Sequence, residues 1–262
     1  MYCFCSNKTN FSRNNKTILN DISLSIFNGE VLCLLGANGS GKSTFLSILA
    51  GELEARGAVT INGHALEKIG VKQQACYRAV VPQKPSLEFD LEVSEVVAMG
   101  AYPFPNLKKN EIDILCNEAM DKAKIDFLSK RRYMELSGGE QQRVHYARAI
   151  LQLLGGLHSR KESSYLLLDE PTSSLDPLHQ HTLLNSVNEL SKNHNIGVLT
   201  VLHDVNLAAL YSDRIALLSQ GEILSYGTPF EVLTPDNLDK VYGISAHVMT
   251  HPKCNKPLVI FG

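Results

Sequence analysis

Within Gly36-Ala37-Asn38-Gly39-Ser40-Gly41-Lys42-Ser43-Thr44, the first eight residues fit the pattern GxxxxGK[ST]. In a chain of this composition the pattern is expected by chance roughly 0.009 times. Glycine permits turns that aim consecutive backbone N–H groups inward, forming a concave nest for phosphate oxygens. The N-terminus of the helix that follows adds partial positive charge. Lys42 brings a full charge to the β- and γ-phosphates, and the Ser43 hydroxyl is a hard oxygen donor suited to Mg²⁺. The loop reads as a nucleotide site.

A second feature complements it. Tyr165-Leu166-Leu167-Leu168 is an apolar strand ending in Asp169 and Glu170. Side chains alternate along a strand, so the two carboxylates face different ways and can take different roles. Asp169 suits the Mg²⁺ shell beside Ser43, and Glu170 suits polarising a water that attacks the γ-phosphate. Without the phosphate loop the pair would be an ordinary solvated strand end. Gln83 sits where the sheet hands over to a helical region, placed to sense the γ-phosphate or Mg²⁺, or to be a plain surface residue. His203 ends another apolar strand, where ligands of open α/β sheets bind. It is a contact for the γ-phosphate or a structural histidine. Ser137-Gly138-Gly139-Glu140 starts a helix with a near capping box, and its two glycines offer bare backbone to an anion.

The elements that must position these residues alternate between strand and helix. Strand patterns cover 31–35, 58–61, 165–168, 197–202 and 214–218, and helical spacing covers 42–49, 178–190 and 205–211. The run 31–35 is continuously apolar, as in a strand buried on both faces. The alternation predicts a parallel α/β sheet. Between 87 and 154 the helical patterns 93–99, 110–124 and 140–154 predict an inserted helical subdomain. The glycine-led, polar segment 155–164 reads as a surface loop.

Composition narrows the class. Of 262 residues, 44% are hydrophobic and 20% charged, which supplies a packed core and excludes disorder as the main state. Lys+Arg 25 against Asp+Glu 27 leaves a formal net charge of −2, so no field for nucleic acid is present. No apolar run approaches the ~20 residues of a membrane-spanning helix, and the N-terminus has no secretory pattern. Cys3, Cys5, Cys33, Cys76, Cys116 and Cys254 lack metal or disulfide spacing. They read as inert thiols of a reduced, cytoplasmic protein, with Cys3 and Cys5 in a mobile tail.

In order and spacing these motifs resemble those of the ATP-binding cassette (ABC) transporter ATPases. GANGSGKST resembles the Walker A loop, Gln83 the Q-loop, LSGGEQQRV the family signature, LLLDEP the Walker B strand, Ser173-Ser174-Leu175-Asp176 the D-loop and His203 the switch histidine. The resemblance covers nearly the whole chain. It implies a phosphate-loop (RecA-like) α/β core at about 1–86 and 160–242, an α-helical subdomain at about 87–159, and a short C-terminal extension, 243–262. It further implies a homodimer with ATP and Mg²⁺ held between Gly36–Thr44 of one chain and Ser137, Gly138 and Gly139 of the other. Glu170, His203 and Gln83 would be catalytic, and Ser43, Gln83 and Asp169 would serve the metal.

Finer features, including SLEFDLEVSEVVAMG, LHQH and PKCNKPLVIFG, resemble the importer branch for heme, ferric siderophores and cobalamin, and most of all its hemin importers. That implies an ATPase at the cytoplasmic face of the inner membrane, two transmembrane permease subunits, and an indirectly coupled periplasmic binding protein. Cobalamin or siderophore import is the alternative. A soluble ABC ATPase acting on nucleic acid or ribosomes is the rival from another class, but heptads, CxxC pairs and a second cassette are missing. Phe89, Val93, Met99 and Tyr102 are candidates for gripping the permease. Where relatives carry an adenine-stacking aromatic this chain has Arg13, with Phe11 nearby, so adenine rests on either residue or on neither. His179, His181, His247, His251 and Cys254 show no convergent ligand geometry for heme or metal.

Overall fold

The computed structural model describes residues 3–84, 86–159 and 163–262. Two strands, β1 (Cys3–Arg13) and β2 (Lys16–Phe27), form a hairpin, followed by β3 (Val31–Leu35) and α1 (Lys42–Leu49). Next come β4 (Arg56–Ile61), β5 (His64–Ala65), α2 (Val71–Tyr77) and β6 (Arg78–Val81). The helical region holds α3 (Val93–Ala98), α4 (Lys109–Lys122) and α5 (Gly138–Ser159). The chain returns through β7 (Tyr165–Asp169), α6 (Pro177–His194), β8 (Gly197–Val201), α7 (Val205–Tyr211), β9 (Arg214–Ser219) and β10 (Glu222–Gly227). It closes with α8 (Pro229–Val232), α9 (Pro235–Tyr242), β11 (Ala246–Thr250) and β12 (Pro257–Phe261).

The central sheet has the order β10-β9-β3-β8-β7-β6. All neighbours pair in parallel except β10, which is antiparallel to β9. A strand with both faces covered must be apolar at every position, and β3 shows why. Leu32 and Leu34 enter one core with α1 and the antiparallel sheet β2-β1-β4-β5, while Val31, Cys33 and Leu35 enter a second core with α5, α6 and α7. Each such buried aliphatic side chain contributes roughly 1.5–3 kcal/mol. Val93, Val96, Ala119 and Met120 of the helical region join that second core, so α3 and α4 sit on α5 without a separate interior.

Three expectations need correction. Cys3 and Cys5, expected to lie in a mobile tail, belong to β1, an inner strand of the antiparallel sheet. The hairpin turns at Asn14 and Asn15, both with positive φ, and three register shifts break the alternation that would have revealed it. In that strand Cys3 and Cys5 are joined by a disulfide, so this pair is not two inert thiols. The remaining cysteines are free, and burial pushes the Cys33 and Cys116 thiols up.

The segment 155–164 is no simple loop either. Helix α5 runs through Gly155 and Gly156 to Ser159, and residues 160–162 lie outside the described residues. The glycines serve packing. A Cβ at 155 would stand 2.8 Å from the Phe104 ring, and one at 156 would stand 3.0 Å from the Cys76 carbonyl oxygen. Finally, the C-terminal extension is a folded hairpin, β11 against β12, with Val259 buried in the second core.

Candidate nucleotide site

Strands β3, β7 and β8 run parallel with Leu34 and Asp169 both in register with Val201. Their C-terminal ends therefore deliver Gly36, Glu170 and His203 to one edge of the sheet. The loop 36–44 is shaped by what lies behind it. A Cβ at Gly36 would stand 2.2 Å from the Leu218 carbonyl oxygen, and one at Gly41 would stand 2.6 Å from Leu19 Cδ2. Gly39 and Gly41 also take φ of 78° and 107°, which other residues rarely adopt. Ala37, Asn38, Ser40 and Thr44 complete the turn, with the Ser40 amide donating to Ala37 O at 3.2 Å.

Lys42 is 5% exposed, and its Nζ donates to Gly36 O at 2.9 Å and Ala37 O at 3.0 Å. Burial lowers its pKa, while Glu170 and Asp169 hold it up. Ser43 Oγ donates to Asp169 Oδ1 at 3.3 Å. Burial raises the Asp169 pKa, against the Ser43 bond and the Lys42 charge. Both groups are hard oxygen donors at a helix N-terminus. That set fits Mg²⁺, which takes one or two protein oxygens and completes its shell with water and phosphate. Accordingly, among the described residues no group of three or more His, Cys, Asp or Glu is arranged to hold a metal by itself.

Glu170 turns away from Asp169. Its Oε1 lies 2.6 Å from His203 Nε2, and its Oε2 accepts from Gln83 Nε2. Its backbone has φ 48°, an unfavourable value for a glutamate. Contacts on both sides hold it there: its amide donates to Val201 O at 3.2 Å, and its carbonyl accepts from Ser173 N and Oγ at 3.2 and 3.0 Å. The structure thus gathers Lys42, Ser43, Asp169, Glu170, Gln83 and His203 at one edge.

It does not bring Ser137 there. The Ser137 amide and hydroxyl both donate to Glu140 Oε2 at 2.8 Å, and these bonds hold the Glu140 carboxyl below its usual range. Ser137 and Gly138 are exposed, while Gly139 packs near Ser174 O of the D-loop. Sequence reasoning missed Asp204, whose Oδ1 accepts from the amides of Asn206 and Leu207 at 2.7 and 2.9 Å and so caps α7 behind His203. An aspartate just before a helical pattern is the signal that would have found it.

The remaining candidates separate. His179 Nδ1 lies 2.8 Å from Asp176 Oδ2, His181 Nδ1 lies 2.6 Å from Tyr211 OH, and His251 lies 3.3 Å from Cys254. Arg13 is exposed at the hairpin end and Phe11 is half-buried opposite Leu19, the residue that backs Gly41. Val93 is buried, which removes it from any gripping surface, whereas Phe89 and Tyr102 are exposed.

Comparison with known proteins agrees with this geometry. Residues 19–173 match the family described as "ABC transporter". The "Hemin import ATP-binding protein HmuV" of Bordetella avium (strain 197N) is 50% identical over 242 residues, 92% of each chain. The protein of the same name from Pseudomonas fluorescens (strain Pf0-1) is 47% identical over 249 residues, 95% of each chain. Among solved structures, cbiO1 from Clostridium perfringens, part of the ABC transporter complex cbiONQ, superposes with a TM-score of 0.77 at 26% identity, over 90% of this chain and 92% of that one. An ABC transporter solved in an inward-facing conformation gives a TM-score of 0.80 over 99% of this chain and 97% of its own, at 24% identity, a likeness of fold alone.

Proposed function

The chain belongs to the ABC transporter family, and we propose that within it the protein is the ATP-hydrolysing subunit of an importer for hemin. The observation that supports the chemistry is the clasp on Glu170, one carboxylate oxygen at His203 and the other at Gln83, beside the Ser43–Asp169 pair. Hemin rests on about 50% identity to relatives named for hemin import, across nearly the full length of both chains.

In this reading the backbone amides of 36–44 hold the phosphates, and Lys42 moves from the carbonyls of Gly36 and Ala37 to the β/γ-phosphate oxygens. Ser43 and Asp169 would hold Mg²⁺, which would supply charge neutralisation on those oxygens. Glu170 orients a water and takes its proton as the water oxygen bonds to the γ-phosphorus and the bond to the ADP oxygen breaks. His203 holds Glu170 and reaches the γ-phosphate, and Gln83 connects the site to the helical region. Ser137 and Gly138, which are exposed, together with Gly139 bind ATP held by a second copy. The dimer sits on the cytoplasmic face of the inner membrane, as in the importer reading; among the described residues no helix is long and apolar enough to cross a membrane. Two permease subunits supply the membrane path and a periplasmic binding protein delivers the substrate. A cleft of about 470 Å³ lined by Met99, Tyr102, Phe104, Pro105 and Leu107 is the surface for the permease.

The test is reconstitution with the cognate permease, comparing ATPase stimulation by binding proteins loaded with heme, cobalamin or a ferric siderophore. Selective stimulation by heme is expected. Selective stimulation by another cargo would reassign the substrate, and none by any cargo would overturn the importer reading.

A further inference from the structure

The last twenty residues, which like His203 and Asn206 lie beyond the stretch 19–173 that matches the family, are bonded to the active edge of the sheet. The carboxamide of Asn206 makes both hydrogen bonds of a β-bridge to one backbone position. Its Nδ2 donates to Val259 O at 3.1 Å, and its Oδ1 accepts from Val259 N at 2.8 Å. Val259 is 3% exposed, so this bidentate pair is sheltered and β12 is fixed on α7. A side-chain amide that satisfies a strand's donor and acceptor together is specific in distance and angle.

From Asn206 the connection continues to the catalytic carboxylate. The Asn206 amide donates to Asp204 Oδ1 at 2.7 Å, Asp204 follows His203 directly, and His203 Nε2 lies 2.6 Å from Glu170 Oε1. A second wall reaches the same place. Phe261 of β12 packs edge-on to Tyr242, with ring centroids 6.0 Å apart, and the buried Tyr242 hydroxyl approaches the backbone of Gly36 without a full hydrogen bond. Together Tyr242, Ile244 and Phe261 face His203, Asp204 and Asn206 across a cleft of about 350 Å³. The imidazole itself is 45% exposed, so little else holds it in place.

We infer that the C-terminal hairpin sets the position of His203, and that Asn206 is the positioning residue through which it acts. The inference rests on the proposed role of His203 at the γ-phosphate. A histidine on a short exposed turn needs its backbone fixed from behind if the imidazole is to meet both Glu170 and phosphate. The bridge to Val259 supplies that fixation. Misplacing a catalytic group by about 1 Å costs up to ~10²-fold.

The experiment uses the full chain. Asn206→Leu keeps the side chain's size and removes both bonds to Val259, while Asn206→Asp keeps the acceptor and loses the donor. The steady-state kcat of Asn206→Leu should fall about 10-fold, with KM for MgATP within about twofold of the parent. Asn206→Asp should fall between the two, and it carries the test if the leucine variant does not fold. Added to His203→Ala, either substitution should cost no further rate, because a residue acting through His203 has nothing left to position. Parental kcat in folded Asn206→Leu, or an undiminished loss in the His203→Ala background, overturns the inference. If His203→Ala itself keeps parental kcat, the role of His203 fails instead, and the two failures are told apart.

Discussion

The phosphate edge and the signature turn differ in how far one chain satisfies them. At the phosphate edge Lys42 is buried on its own loop carbonyls, Ser43 meets Asp169, and both oxygens of Glu170 are occupied. At the signature turn Ser137 and Gly138 are exposed, and nothing lies within 4 Å of where a Gly138 Cβ would be. The Ser137 amide and hydroxyl are bonded within their own turn, to Glu140, which also pairs with Arg131 at 3.7 Å. The first region is a machine assembled by folding. The second is an exposed turn that folding shapes and leaves open, which is what the proposed composite site between two copies requires.

The most severe way to test the contrast is to break each region in turn. Lys42→Ala should lower ATPase by about 10³-fold, since a buried charge on the phosphates is lost. Ser137→Arg should be comparably inactive in a homodimer. Mixed dimers of the two chains should recover about half the parental rate, because one composite site carries both lesions and the other neither. Recovery is read by turnover of doubly tagged, purified mixed dimers. A mixed dimer without even one occluded ATP would show that both regions act within one chain.

Glu170→Gln separates binding from chemistry at the phosphate edge. Hydrolysis should slow by about 10²-fold, the scale of a lost general base, while ATP binding persists and a dimer accumulates on gel filtration with ATP and Mg²⁺. Wild-type turnover from this variant, with only monomer present, would remove Glu170 from its role.

Behind the signature turn the anchor is internal, and pH probes it. Tyr133 OH lies 2.9 Å from His145 Nε2, and His145 is 2% exposed. Burial and nearby Arg148 push the His145 pKa from 6.5 down to about 4. Above pH 6.5 neither folded nor unfolded chain protonates it, and its contribution is constant. Between 6.5 and about 4 the unfolded chain takes up a proton that the folded one refuses, so stability falls, by up to about 3 kcal/mol at roughly 1.4 kcal/mol per pH unit. Urea unfolding at pH 7 and pH 4.5 measures this. His145→Gln, which keeps an acceptor for Tyr133, should flatten that part of the profile.

The smallest expected effect on the fold is at Gly138. With open space around its Cβ, Gly138→Ala should move the thermal midpoint by less than about 2 °C. The same change should depress ATPase if a partner's nucleotide comes against this turn. Parental activity would mean that no ligand approaches the bare backbone there.

What the sequence determined by itself was local and periodic. The loop 36–44, the apolar strands ending at Asp169 and before His203, and the helix starting after Ser137 are each written in fewer than a dozen consecutive residues, and their residue types dictate their chemistry. The two-sided burial of β3 was legible because five apolar residues in a row leave no polar face. Tertiary structure decided what depends on distant partners. Gln83 meets Glu170 across 87 positions, and Asn206 meets Val259 across 53, and no local pattern encodes such meetings. It also decided that β1 is a strand, because register shifts erased its alternation, and that Gly155 and Gly156 are helical, because glycine serves a close approach as well as a turn. A short-range motif carries its physics in its own backbone, whereas a residue's partners are set only when the whole chain has packed.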